Sequence, residues 1–189
     1  MSNASRIIAH FGHTGEGHLA AQVEDLAWLA IAYGAGLRML SGWRLSKPMT
    51  NWVEADLYGA DGIVADAVAF RVHVEDIAQH RRELANLSRP ETQMRVGTPW
   101  GASQHSYRYG DGILCHSTAS HGGFHLDAER NARVHAMLRN AGGWYEEDGE
   151  WAKVAFSFPD LFTVRERSSA DRSLRNDYPD AWEHIYGVT

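Results

Sequence analysis

Apolar residues recur at helical spacing over the first well-patterned stretch of the chain: Leu19, Val23, Leu26, Ala27, Ala30, Tyr33, Leu37 and Leu40. That spacing predicts a helix. Trp28, Leu29 and Ile31 widen its stripe, so the helix is expected to be buried on more than one side, with Gly34 and Gly36 breaking or kinking it. The segment 41–60 reads as irregular, anchored by Trp43, Trp52 and Tyr58. From Ile63 to Val72, Val68, Phe70 and Val72 alternate with Ala67, Ala69 and Arg71, which predicts a strand. Val74, Ile77, Ala78, Arg81, Leu84 and Ala85 then predict a helix that stops before Pro90. Residues 87–98, with Ser88, Pro90 and Gly97, read as a linker.

Beyond the linker, Trp100 to Tyr109 and Ile113 to Thr118 flank Gly110-Asp111-Gly112, a hairpin signal. Asp127 is the expected N-cap of a helix whose inner face is Val134, Met137, Leu138 and Ala141 and whose end is Gly142-Gly143. Asp148 is the expected cap of the next, carrying Trp151, Val154, Ala155 and Phe158 at i, i+3, i+4, i+7. Pro159 opens a further helix, and the last starts near Pro179 and buries Trp182, Ile185 and Tyr186. The predicted fold class is α+β: an N-terminal helix-rich part with a strand, then a small antiparallel sheet followed by about four helices. The expected domains are a flexible His- and Gly-rich arm over 1–18, an N-terminal α/β part over 19–90, and a second domain over 96–189.

Composition changes the picture in a few places. A formal net charge of −6 over 189 residues argues against direct nucleic-acid binding, which calls for a basic face. The charge suits a partner with a basic surface and is equally an ordinary solubility charge. Cys115 is the only cysteine, so no intramolecular disulfide forms and a reducing, cytoplasmic setting is expected. No apolar run is long enough to span a bilayer and the start does not resemble a signal peptide, so no membrane association is expected.

Three groups of residues bear on chemistry. His10, His13, Glu16 and His18 are metal-ligand types, but the glycines between them cannot hold fixed geometry, so a loose arm is the preferred reading and no metal or other cofactor is expected. His121 and His125, with Cys115, His116 and the acidic run Glu146-Glu147-Asp148, offer a metal site or an acid–base pair; hydrogen-bonding and capping roles are preferred. Cys115 and His116 are adjacent on a predicted strand and so point to opposite faces, which leaves the thiol as a small core residue. Trp144, Tyr145, Glu146, Glu147, Asp148 and Glu150 form an acidic, aromatic stretch of the kind found at protein interfaces, and also the kind of acidic run that precedes a helix. The glycines of Gly110-Asp111-Gly112 and Gly142-Gly143 lack the strand–loop–helix context and the lysine of a phosphate loop.

Several motifs in order carry a resemblance: Thr98-Pro99-Trp100-Gly101, Asp111-Gly112-Ile113, the run from Ser120 to Leu126, Glu129-Arg130-Asn131, the run from Gly143 to Asp148, Glu150 to Val154, Phe158 to Phe162, Leu174-Arg175-Asn176 and Pro179 to Glu183. Together they resemble a bacterial domain of unknown function, number 7007 in its series, over about residues 96–187. The resemblance implies a protein carried by plasmids and other mobile elements of proteobacteria, sometimes encoded beside large polyvalent or antirestriction-like proteins. It brings no activity, cofactor or catalytic residue with it.

Two classes of function follow. One is a non-enzymatic accessory protein of mobile elements that binds a host protein, with a CRISPR or restriction defence system, a nucleic-acid-binding complex, as the kind of target. The other is a hydrolase or other enzyme using the His121/His125 region, with or without a metal. The oligomeric state is left open.

Overall fold

The computed structural model describes residues 6–187. The chain divides into two compact units, residues 1–86 and 87–189. None of the described helices is long and apolar enough to cross a membrane.

The first unit corrects the sequence expectation: its N-terminal part is strand-rich, not helix-rich. Five antiparallel strands follow one another in a meander, β1 (Ala9–His13), β2 (Leu19–Val23), β3 (Leu26–Tyr33), β4 (Gly36–Trp43) and β5 (Gly59–Val64). The stretch read as one helix is therefore β2, β3 and β4. Two-residue turns separate them, Glu24-Asp25 and Gly34-Ala35, with Glu24 and Gly34 at φ of 51° and 57°. Both faces of this sheet are covered, which removes the polar–apolar alternation that marks a half-exposed strand. On one face Val23, Trp28, Ala30 and Met39 pack against α1 (Ala67–Asn86) through Phe70, Val74 and Ala78. On the other, Ala20, Ala27, Leu29 and Leu40 lie under Trp52 and Leu57 of the segment between β4 and β5.

The strand expected over 63–72 is also corrected. β5 ends at Val64, and Asp66 caps α1 by accepting a 2.8 Å hydrogen bond from the Ala69 N–H. Phe70, Val74 and Ala78 then form a stripe with a four-residue step. Of the arm expected over 1–18, residues 1–5 lie outside the described residues; Ala9–His13 is strand β1, paired along its whole length with β2. Phe11 on that strand meets Phe70 edge-on at 6.4 Å.

In the second unit the sheet runs β12-β11-β10-β9-β6, where β6 is Glu91–Thr92, β9 His105–Gly110, β10 Ile113–Ser117, β11 Gly122–Leu126 and β12 Trp144–Glu146. The short strands β7 (Gly97–Thr98) and β8 (Gly101–Ala102) make a separate hairpin. Four helices follow: α2 (Ala128–Arg133), α3 (Trp151–Ser157), α4 (Val164–Asp177) and α5 (Pro179–Tyr186). One core joins Ile113, Phe124, Leu126 and Tyr145 of the sheet to Val154, Ala155, Ala170 and Leu174 of α3 and α4. Arg89 ties the start of the unit to α4. It makes two bonds of 2.9 and 2.8 Å to the Glu166 carboxylate and a third to the Leu161 carbonyl.

Two local expectations change here. Asp127 does cap α2, accepting from the Arg130 N–H, but α2 ends at Arg133 and the residues to Ala141 run on as turns. Val134 and Leu138 are buried there, while Met137 and Ala141 are exposed. Asp148 does not cap α3; Glu150 occupies that position, without a capping hydrogen bond.

Candidate functional site

Cys115, His116, His125 and Trp144 to Glu146 lie on the strands β10, β11 and β12, where the strand period sorts them by face, while His121 precedes β11 and Glu147, Asp148 and Glu150 follow β12. Cys115 pairs with Phe124 in register and packs against the helical core. Burial pushes its thiol up to about 11, so it is a protonated core group. His116 points to the opposite face and is almost fully buried.

On that opposite face His116, His125 and Trp144 form a cluster. His125 tilts over the Trp144 ring at 4.3 Å and His116 lies 5.6 Å from it. Trp100, at the tip of the β7–β8 hairpin, meets Trp144 edge-on at 5.8 Å. The buried Ser106 hydroxyl donates to the Met94 carbonyl at 2.8 Å and lies 2.8 Å from His116 Nδ1. A hydroxyl has one proton, so once it serves Met94 the oxygen accepts from His116, which fixes the proton on Nδ1. Through these bonds Ser106 and His116 pin the segment before β7 to the sheet.

Burial lowers the pKa of both His116 and His125, with His125 adding to the effect on His116 and Asp127 opposing it at His125. As pH falls below the ordinary imidazole value near 6.5, the unfolded chain takes up protons before the folded one, so stability is full above that value and is lost on acidification. Urea midpoints should therefore fall between about pH 7 and pH 5, and His116→Gln should flatten that fall. An equal slope in the variant would show that His116 is not the titrating group.

Beside the cluster, His121 is half-exposed. Its Nδ1 lies 3.7 Å from Glu146 Oε1, a buried oxygen with no hydrogen-bond partner. Asp148 completes a group whose donor atoms lie within 4.8 Å of one another, and these three residues could hold a divalent metal. His10, His13 and His18 are not brought together. His10 and His13 stand three apart on β1 and so on opposite faces, and His18 sits 3.4 Å from Glu16.

The acidic, aromatic stretch splits the same way. Tyr145 is fully buried; its hydroxyl donates to Asn131 Oδ1 and accepts from the Asn140 N–H. Glu150 turns inward to Lys153, whose ammonium lies 2.8 Å from Glu150 Oε1 and 3.2 Å from Asn140 Oδ1. Burial is the largest single influence and works against the Glu150 carboxylate, but the hydrogen bonds from Lys153, Asn140 and the Glu146 N–H together with the Lys153 charge outweigh it and hold its pKa below the usual range. Asn140 and Glu150 then block the outer edge of β12, bonding the Trp144 carbonyl and the Glu146 N–H. Only Glu147 and Asp148 stand out into solvent. Sequence reasoning missed Trp100, Ser106, Asn131, Asn140 and Lys153, whose bonds and ring contacts join residues of different elements and loops.

The fold and site define a two-unit α+β chain whose second unit carries a histidine–tryptophan cluster on one sheet face and an acidic rim at its end. Residues 93–189 match the family described as a domain of unknown function (DUF7007), and the chain belongs to that family. No curated protein and no solved structure matches the chain.

Proposed function

We propose that this chain acts by binding a host protein, and that it serves a mobile genetic element by engaging a nucleic-acid-binding defence complex of the CRISPR or restriction kind. The acidic rim after β12 carries the reading. Glu147 and Asp148 are exposed and, among the described residues, neither forms an ion pair with lysine or arginine. Backbone bonds hold the rim in place, from the Glu147 N–H to the Gly122 carbonyl at 3.0 Å and from the Asp148 N–H to Glu146 Oε2 at 2.7 Å. Fixed, uncompensated carboxylates favour a basic surface, the kind that nucleic-acid-binding proteins present. The thiol and the buried imidazoles that an enzyme would use are meanwhile engaged in packing and hydrogen bonds.

Affinity capture from host lysate should retain a basic, nucleic-acid-binding protein, and the Glu147→Lys/Asp148→Lys double variant should lose it. Undiminished retention by that variant sinks the reading. The alternative is an enzyme built on His121, favoured by the unpartnered Glu146 oxygen facing that imidazole. Stoichiometric zinc on the chain, released by His121→Ala, would make it the better account.

A further inference from the structure

A separate cavity of about 250 Å³ lies in the second unit, between the β9–β10 turn, α2 and the turn that follows α3. We propose that it binds a small carboxylate carried on an apolar, aromatic body. None of its residues belongs to the acidic rim, so it stands or falls independently of the host-protein reading.

The floor is apolar: Ile113 and Phe158 are buried, and Leu161 closes one side. The cations come from α2, where Arg130 and Arg133 stand three residues apart on one helical face. Arg130 is fixed by the turn. Gly112 has φ of 74°, a conformation side chains rarely adopt, and a Cβ there would collide with the Asp127 carboxylate. That close approach lets the Asp127 N–H reach the Gly112 carbonyl at 2.9 Å and Arg130 Nε reach the Asp111 carbonyl at 2.9 Å. Among the described residues, the terminal amino groups of Arg130 make no further hydrogen bond or ion pair, and Arg133 makes none at all. Arg133 instead spreads over the Phe158 ring, 5.0 Å from its centroid. Two guanidiniums with free donors above an aromatic floor match a planar carboxylate joined to a ring, through paired N–H···O bonds and stacking.

Charge and size narrow the class. Asp111 and Asp160 also line the cavity, so a phosphate dianion would meet two carboxylates along with the two arginines. A monoanion gains from the arginines at less cost. The volume lies below the range of about 300–1,000 Å³ typical of drug-sized ligands, which points to a single-ring acid and not a nucleotide.

Phenylacetate titrated into the full chain, followed by calorimetry or ligand-observed NMR, tests this. It should bind, phenylacetamide should bind at least about tenfold more weakly, and inorganic phosphate should not displace it. Arg133→Gln should weaken phenylacetate by a similar factor while lowering the melting temperature of the free chain only slightly, since the exposed Arg133 makes no hydrogen bond there and loses only its contact with the Phe158 ring. Failure of phenylacetate to bind, equal binding of the amide, displacement by phosphate, or unchanged binding to Arg133→Gln each overturns the proposal.

Discussion

Gly123→Ala should destabilise the second unit by about 2–3 kcal/mol, the upper part of the range for overpacking a tight interior. Gly123 lies inside β11, paired with Glu146 of β12 and His116 of β10. A Cβ there would run into the Tyr145 carbonyl oxygen and, on the same side, the six-membered ring of Trp100. Neither can yield cheaply. The carbonyl belongs to the strand next to β11, and Trp100 is held against Trp144 at the tip of its hairpin. In an open strand the same change would stabilise by about 0.5–1 kcal/mol, because alanine loses less chain entropy than glycine on folding. The steric cost outweighs that gain. Gly142→Ala is the control, since a Cβ there meets nothing nearer than Trp144 Cδ1 at 3.7 Å. Urea denaturation of both variants decides it: a Gly123→Ala midpoint equal to the parent's would mean that neither the Tyr145 carbonyl nor the Trp100 ring packs closely on Gly123.

Gly122-Gly123 shows what the sequence could and could not convey. Two glycines flanked by histidines signal a special backbone, but composition does not say which kind. Neither residue adopts a positive φ; both are needed for space, Gly122 because a Cβ would crowd the Glu147 carboxylate and the His116 carbonyl. Motifs with strictly local physics were readable from residue order alone, as with the Asp127 cap and the Asp111-Gly112 turn. The first unit misled for a reason that is also physical. Strands buried on both faces lose their period of two, and alanine-rich runs such as Leu26–Tyr33 then offer as good a match to helical spacing. The punctuation was there, in Glu24-Asp25 and Gly34-Ala35, but Glu24 is an unusual residue for a positive φ. The relay from His116 through Ser106 to Met94 was illegible because it needs the β9–β10 register, which no local pattern supplies.

The other large effect lies at the start of the chain. Removing residues 1–17 should unfold the first unit, not merely trim it. The deletion takes away β1 and with it five paired positions along β2. It removes Ile7, which is buried in the core shared with α1, and Phe11, whose ring meets Phe70. It also strips Arg82 of the Ile7 carbonyl that its guanidinium bonds at 2.8 Å. Truncating one buried aromatic to alanine costs about 3–5 kcal/mol; half-exposed Phe11 contributes less, but Ile7 and the lost ladder add to it. The sum reaches the scale of a domain's whole stability, about 5–15 kcal/mol. β2 would become an exposed edge of alanine-rich, apolar sequence, so aggregation should accompany unfolding. Amide exchange in β2, β3 and β4 is the readout, with Phe11→Ala as a milder variant expected to speed exchange without abolishing protection. A shortened chain that keeps native protection in those strands would show that β1 is a dispensable edge and that the arm expected from sequence describes its behaviour better than its place in the sheet.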